Sequence, residues 1–287
     1  TFRANLSGNS TSYGIAFADI RATSAGSQQA SFTTTHGTDS FVSLLLAFAE
    51  APSINGGVYS VQSSASNTTY NISNVTVPSG SNQILIVGVC NRGNGGGTNP
   101  ATAVSWNGVS LTLLNSQVHT GIDQWAAFWY LLNPTPATAN VVVTVGTLPT
   151  PDNAAIAYTL QNVNQTNPFG TPYISNAFGG ALTTTTGNIA ARGTVIDLLF
   201  DGNQTGNTSG TPGTGQTKLV GIQAGTPTSN NVMLGSIKTV SGTTTMSWTE
   251  TNNVYAVYMA YPVNAFTTTV IGTLGQWDIS LRLLGWF

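Results

Sequence analysis

The sequence predicts an all-β chain: an antiparallel, jelly-roll-like β-sandwich with an additional N-terminal half-module and a C-terminal extra strand. Three observations predict it. Short apolar or alternating segments recur along the chain, with turn residues roughly every 8 to 12 positions, the spacing of a sandwich or barrel. The turns carry their own chemistry, with Pro78–Ser79–Gly80 between two such segments and Asn107–Gly108 inside AVSWNGVSLTLL, the strongest short hairpin signal a sequence offers. No stretch sustains the 3.6-residue apolar period of a helix.

From residue 58 the elements follow in order. A polar strand in TTYNISNVTV leads through Pro78–Ser79–Gly80 to a fully apolar strand at Ile84–Val89, and NRGNGGGTNPAT reads as a Gly-rich loop. The Asn107–Gly108 hairpin comes next. DQWAAFWYLLNPTPATANVVVTV then reads as two strands around a Pro-marked turn. NAAIAYTLQ, TVIDLLF, GQTKLVGIQ, NVMLGSIKTV, TTTMSWTE and NVYAVYMAYPV supply the rest. This region, 58–264, is read as the sandwich itself, flanked by a half-module over 1–57 and an extension over 265–287.

The half-module rests on an internal repeat. SFTTTHGTDSFVSLLLAFAE, from Ser31, has the order of TTTTGNIAARGTVIDLLFDGN, from Thr183: a Thr run, a Gly, a polar spacer, an apolar run, then an acid. SYGIAFADIRATSAG from Ser12 likewise parallels NAAIAYTLQNVNQTNP from Asn153. Phe41–Ala49 is nine residues, too short for a membrane helix of about 20 apolar residues. Turn residues bound it, so it reads as a buried strand through Phe41, Val42, Leu44, Leu45, Leu46 and Phe48.

Composition narrows the function class. Only 7 residues are Lys or Arg and 9 are Asp or Glu, a charged share of 6% against a usual share of about 25%. The basic residues Arg3, Arg21, Arg92, Arg192, Lys218, Lys238 and Arg282 are scattered and the net charge is −2, which offers no electrostatic footprint for nucleic acid or an anionic membrane. Ser, Thr, Asn and Gly stand in for charge, a composition that points to an extracellular or cell-surface protein. The chain opens at Thr1 without a leader, as an exported chain does once its leader is removed. Sequons at Asn5, Asn9, Asn67, Asn71, Asn74, Asn164, Asn203 and Asn207 are candidate glycan acceptors. The single cysteine, Cys90, follows an apolar strand and reads as a small buried hydrophobe.

QILIVGVCNRGN, AVSWNGVSLTLL, QWAAFWYLLNPTPATANVVVTV, AAIAYTLQNVNQTNPFG, TTMSWTE and VYAVYMAY, taken in order, resemble Gly/Ser/Thr-rich jelly-roll modules. Such modules recur in secreted and surface proteins of bacteria and in phage structural proteins. The resemblance implies a two-sheet sandwich in a surface, adhesive or structural role, and it carries over no catalytic residue.

No constellation for catalysis stands out, and the expectation is a non-enzyme with no required cofactor. His36 and His119 are far apart and lack zinc-site spacing. The nine acids, Asp19, Asp39, Glu50, Asp123, Asp152, Asp197, Asp201, Glu250 and Asp278, present no flanking carboxylate pair of the kind glycoside hydrolysis needs. Asp197 and Asp201, on either side of LLF, are the weak candidates for calcium, which prefers oxygen ligands; the alternative is that they end a strand and fix a turn. In QWAAFWYLL, Trp125, Ala127, Trp129 and Leu131 share one strand face and Ala126, Phe128, Tyr130 and Leu132 the other. With both faces apolar the strand is central and covered on both sides, or else Trp125 and Trp129 meet a protein partner or stack on a sugar ring.

The termini point to assembly. Trp277, Ile279, Leu281 and Leu283 alternate with Asp278, Ser280 and Arg282, and Trp286 and Phe287 follow; Phe2 and Leu6 begin a shorter version. Such strands complete their own sandwich or are added to a neighbouring subunit. An outer-membrane barrel is disfavoured by the doubly apolar strands and Gly/Thr-rich loops. The expected function is a non-enzymatic structural subunit of a filament, sheath or surface assembly, with itself as partner through strand addition, without nucleic acid and without membrane insertion. The alternatives are an adhesin or carbohydrate-binding module with surface polysaccharide as partner, and a phage or viral coat or fibre subunit.

Overall fold

A computed structural model describes residues 2–4, 17–18, 50–64, 68–92, 101–119, 123–146, 152–177, 182–186, 193–202, 210–225, 231–249 and 255–266. The chain divides into two compact units, Thr1–Phe48 with Thr268–Phe287, and Ala49–Thr267. In the first, β1 (Phe2–Ala4) pairs antiparallel with β2 (Phe17–Ala18). The expected apolar strand of Phe41, Val42, Leu44, Leu45, Leu46 and Phe48 lies outside the described residues, as do Leu6, Trp277, Ile279, Leu281, Leu283, Trp286 and Phe287.

The second unit is all-β, and among its described residues every strand pairing is antiparallel. Its first half contains β3 (Ser53–Ser63), β4 (Thr69–Val77), β5 (Ile84–Arg92), β6 (Ala101–Trp106), β7 (Val109–Ser110), β8 (Thr112–His119), β9 (Gln124–Leu132), β10 (Ala137–Val145) and β11 (Asn153–Gln161). Its second half contains β12 (Tyr173–Ala177), β13 (Leu182–Thr186), β14 (Gly193–Gly202), β15 (Thr211–Pro212), β16 (Thr217–Gln223), β17 (Val232–Val240), β18 (Thr244–Thr249) and β19 (Tyr255–Asn264).

The halves have one topology. The inner sheet of the first runs β3-β11-β5-β9-β8 and that of the second β12-β19-β14-β17-β16; the outer sheets run β4-β10-β6-β7 and β13-β18-β15. Matching β3 to β12, β5 to β14 and β11 to β19 makes the lists coincide, with the single strand β15 in place of the hairpin β6–β7. The sequence reads 58–264 as one sandwich, whereas the structure builds two sandwiches over this stretch. They share their central apolar layer.

Strand alternation explains the stacking. On β5, Leu85, Val87 and Val89 face the outer sheet with Tyr70, Ile72, Trp106, Val141 and Val143. Ile84, Ile86 and Cys90 face the other way, into a layer with Phe128, Tyr158, Ile196, Leu198, Phe200, Met259 and Tyr261. β14 repeats the division, with Val195 and Leu199 against Met246, Trp248 and Tyr258 of the second sandwich. Strands buried on both faces read as continuous apolar runs, which is why ILIVGVC and TVIDLLF hardly alternate. Each large side chain so buried contributes roughly 1.5 to 3 kcal/mol.

The two inner sheets lie face to face with β3 beside β16 at one flank and β8 beside β12 and β19 at the other. Corresponding strands therefore occupy opposite flanks, an approximate two-fold arrangement about an axis along the strands. Near that axis β5 meets β14 closely: a Cβ at Gly88 would come within 3.3 Å of the Leu198 methyls and 3.0 Å of Ile156 Cγ2. The Asn107–Gly108 turn forms as expected, with φ of 50° and 75°, the left-handed pair a type I′ hairpin needs.

Candidate functional site

Asp197 is the most conspicuous polar residue of the interior. It sits on β14 at 3% exposure, facing the second sandwich's own core. Five donors converge on its carboxylate. Ser236 reaches Oδ1 through its backbone N–H at 2.6 Å and its Oγ–H at 2.8 Å. Trp248 Nε1–H, the Tyr258 hydroxyl and Gln216 Nε2–H reach Oδ2 at 2.9, 2.8 and 3.2 Å. Gln216 also donates to Ser236 Oγ at 2.8 Å and accepts from Ser247 N–H at 2.7 Å. The network spans strands β14, β17, β18 and β19, so it ties the outer sheet to the inner one.

Burial raises the Asp197 carboxyl above its ordinary value, against the opposing pull of its Ser236, Tyr258 and Trp248 donors. Burial, and then the Asp197 charge, push the Tyr258 hydroxyl well above its usual range. A carboxyl raised by burial marks catalysis when it lines a cleft. Here its oxygens are taken up by protein donors, and the chemistry available to it is cohesion. Sequence reasoning named Asp197 but missed its donors, because positions 216, 236, 248 and 258 share no local motif.

Asp201, the second calcium candidate, lies four residues further along the same strand, roughly 13 Å away at about 3.3 Å per residue. The two acids therefore do not meet around one ion, and among the described residues no three of His, Cys, Asp and Glu gather as a metal site.

Asp201 is buried at the end of β14 opposite Val232, on the same strand face as Asp197, and polar side chains cluster at this end of the two inner sheets. There Asn91 Nδ2–H donates to Asn153 Oδ1 at 2.6 Å, the side-chain amides of Gln124 and Asn231 meet at 2.8 Å, and Asn231 Nδ2–H donates to Asp152 Oδ2 at 2.5 Å. Gly225 N–H bonds the Asn153 carbonyl at 2.9 Å, and His119 packs edge-on against Tyr255 at 5.1 Å. Each of the last three contacts, with the Gln124–Asn231 pair, joins one sandwich to the other. At the opposite end, Tyr130, Phe169, Tyr261 and Phe128 form a chain of edge-to-face rings, and Phe266 N–H bonds the Asn162 carbonyl at 2.7 Å. The sandwiches are fastened at both ends.

Trp125 and Trp129 are each 6% exposed. Trp129 packs in the first sandwich's core with Val87, Trp106 and Val141. Their faces are covered by protein and present no stacking platform for a sugar. Cys90 is fully buried in the shared layer, and burial lifts its thiol well above the usual range.

The least protected feature is a sheet edge. Among the described residues β3 pairs with β11 on one side only, and its eleven residues, SINGGVYSVQS, include no Asp, Glu, Lys, Arg or Pro. A register shift opposite Tyr158–Leu160, where Gly56 takes φ 98°, leaves Val58–Ser63 regular. Tyr59 and Val61 pack toward the first sandwich's core, while Val58 stands 38% exposed. Beside the start of the strand, Pro52, Ser53, Ile54, Gly215, Thr217, Leu219, Ile237 and Thr239 line a groove of about 380 Å³.

Compared with family models, with curated proteins and with solved structures, the chain matches none.

Proposed function

We propose that this chain is a non-enzymatic structural protein of an extracellular surface assembly, a subunit joined to its neighbours by strand addition. The observation that carries the reading is the β3 edge. Long uncharged edges invite pairing with another chain, and proteins that stay monomeric blunt them with charge, proline, bulges or short length. Two fused sandwiches with three apolar layers make a stiff building block, and a 6% charged share removes the like-charge repulsion that opposes repetitive packing. Extracellular placement rests on the same Ser-, Thr-, Asn- and Gly-rich composition. The amphipathic stretch from Trp277 to Leu283 is the strand to be donated.

Negative-stain microscopy and sedimentation of the native material test the proposal. Ordered polymers are expected, and removal of residues 276–287 is expected to leave a folded monomer that no longer assembles. Monodisperse full-length monomers that bind immobilised polysaccharide would replace this reading with the carbohydrate-binding one.

A further inference from the structure

We infer that the β3 edge is the acceptor in this assembly and that its occupant is the segment 277–287 of a second copy, added antiparallel; the inference rests on the strand-addition reading above. The other edges of the unit are guarded. β16 carries Lys218 and a register shift beside it; β8 is shifted between Leu113 and Asn115, and Asn176 Nδ2–H takes its Val118 carbonyl at 2.9 Å. β12 and β13 are five residues long, and β7 and β15 two, the latter ending on Pro212. β4 contains Asn74 at φ 55° next to the shift at Ala139–Val141. β3 carries no charge or proline, and among the described edges it keeps the longest run in unbroken register, Val58–Ser63.

The chemistry of the two strands agrees. On β3, Tyr59 and Val61 point to the sandwich core, and Val58, Ser60 and Gln62 point to the exposed side. An added strand must alternate in the same way. Trp277, Ile279, Leu281 and Leu283 would extend the layer of Tyr59 and Val61, leaving Asp278, Ser280 and Arg282 beside Ser60 and Gln62. Run antiparallel, with Trp277 at the Ser63 end, the strand brings Trp286 and Phe287 to the Ser53 end, where Ile54, Leu219 and Ile237 floor the groove.

Geometry favours a second copy over the chain's own tail. Phe266 is bonded to Asn162, the residue after Gln161, which pairs with Ser53. The last described residue thus lies at the Ser53 end of β3, where the tail begins. Adding in place, it would lie parallel to β3 in a unit whose described pairings are all antiparallel. To lie antiparallel, the ten residues 267–276 would first have to run almost fully extended, at most about 3.6 Å each, along the whole strand.

Two sets of variants test this. Val58→Lys with Ser60→Lys should abolish polymers while leaving the melting temperature within a few degrees of wild type, and Ile174→Lys, on the β12 edge, should leave polymers intact. Mixing a Ser60→Cys or Gln62→Cys chain with a Ser280→Cys chain under mild oxidation should give a disulfide-linked heterodimer; Cys90 is buried and does not compete. Wild-type-like polymers from the double-lysine variant would overturn the inference and leave the assembly reading standing. So would Ser60→Cys chains that cross-link only to each other, which would mean β3 self-pairing, or a Ser60→Cys/Ser280→Cys chain that closes on itself as a monomer. If the wild-type chain forms no polymer at any concentration, the assembly reading fails first and this inference with it.

Discussion

Tyr258 donates its phenolic hydrogen to Asp197 Oδ2 at 2.8 Å, and both side chains lie between the sheets of the second sandwich, where Trp248 closes the space above them. Removing the acceptor would leave Trp248 N–H, Ser236 N–H and the two hydroxyls facing an apolar hole. At roughly 1 to 3 kcal/mol for each buried group left unsatisfied, with partial rearrangement, Asp197→Ala should cost about 3 to 5 kcal/mol. Urea unfolding measures it. A loss below about 1 kcal/mol would mean that the network is not what joins β18 to β14.

The same carboxyl gives a pH dependence with a definite sign. Its folded value lies above the ordinary 3.8, chiefly through burial. A group raised in the fold binds more protons folded than unfolded, so its contribution is fully present below about pH 4 and is lost as pH rises through the folded value. The stability of wild type relative to Asp197→Asn, which does not titrate, should therefore fall from pH 4 upward. Paired urea titrations from pH 3 to 8 check this; a rising difference would reverse the assignment.

Trp129→Ala should cost about 3 to 5 kcal/mol, as large-to-small changes in packed cores do, because the indole fills the space between Val87, Trp106 and Val141. An unchanged melting temperature together with altered binding to polysaccharide would give the residue the contact role instead.

At Gly108, φ is 75° and a Cβ added there would meet nothing within 4 Å. Gly108→Ala should thus carry only the backbone cost of a left-handed residue, about 1 to 2 kcal/mol. Gly88→Ala offers the contrast: the constraint there is steric contact with Ile156 and Leu198. Combining it with Leu198→Val should recover part of its loss, while Gly108→Ala should recover nothing. Urea unfolding of the single and double variants checks both.

The turn at Asn107–Gly108, the apolar strands β5 and β14 and the doubly covered QWAAFW segment were legible because each depends on neighbours in sequence. The duplication within 58–264 was not. NQILIVGVCN and TVIDLLFDGN share apolar character rather than identities, and the spacing between the halves drifts where β6–β7 is replaced by β15. Strands covered on both faces were the available signal, since one two-layer sandwich has no sheet buried on both sides. The donors to Asp197 were illegible for a different reason: Gln216, Ser236, Trp248 and Tyr258 converge only after four strands are in register. The β3 edge could have been flagged from its lack of charge, but its position at the end of a sheet is a property of topology.

The layer shared by Ile86, Phe128, Leu198 and Met259 has a thermodynamic corollary. If one sandwich melted, the apolar face of the other would be stripped into water, so neither half has a melting point of its own. Scanning calorimetry of residues 49–267 should show a single heat-absorption peak whose van't Hoff and calorimetric enthalpies agree, although the unit contains two complete copies of one topology. A duplication that fuses its copies through their backs has exchanged modular independence for cooperativity, and a single deep lesion in either half becomes a lesion in both.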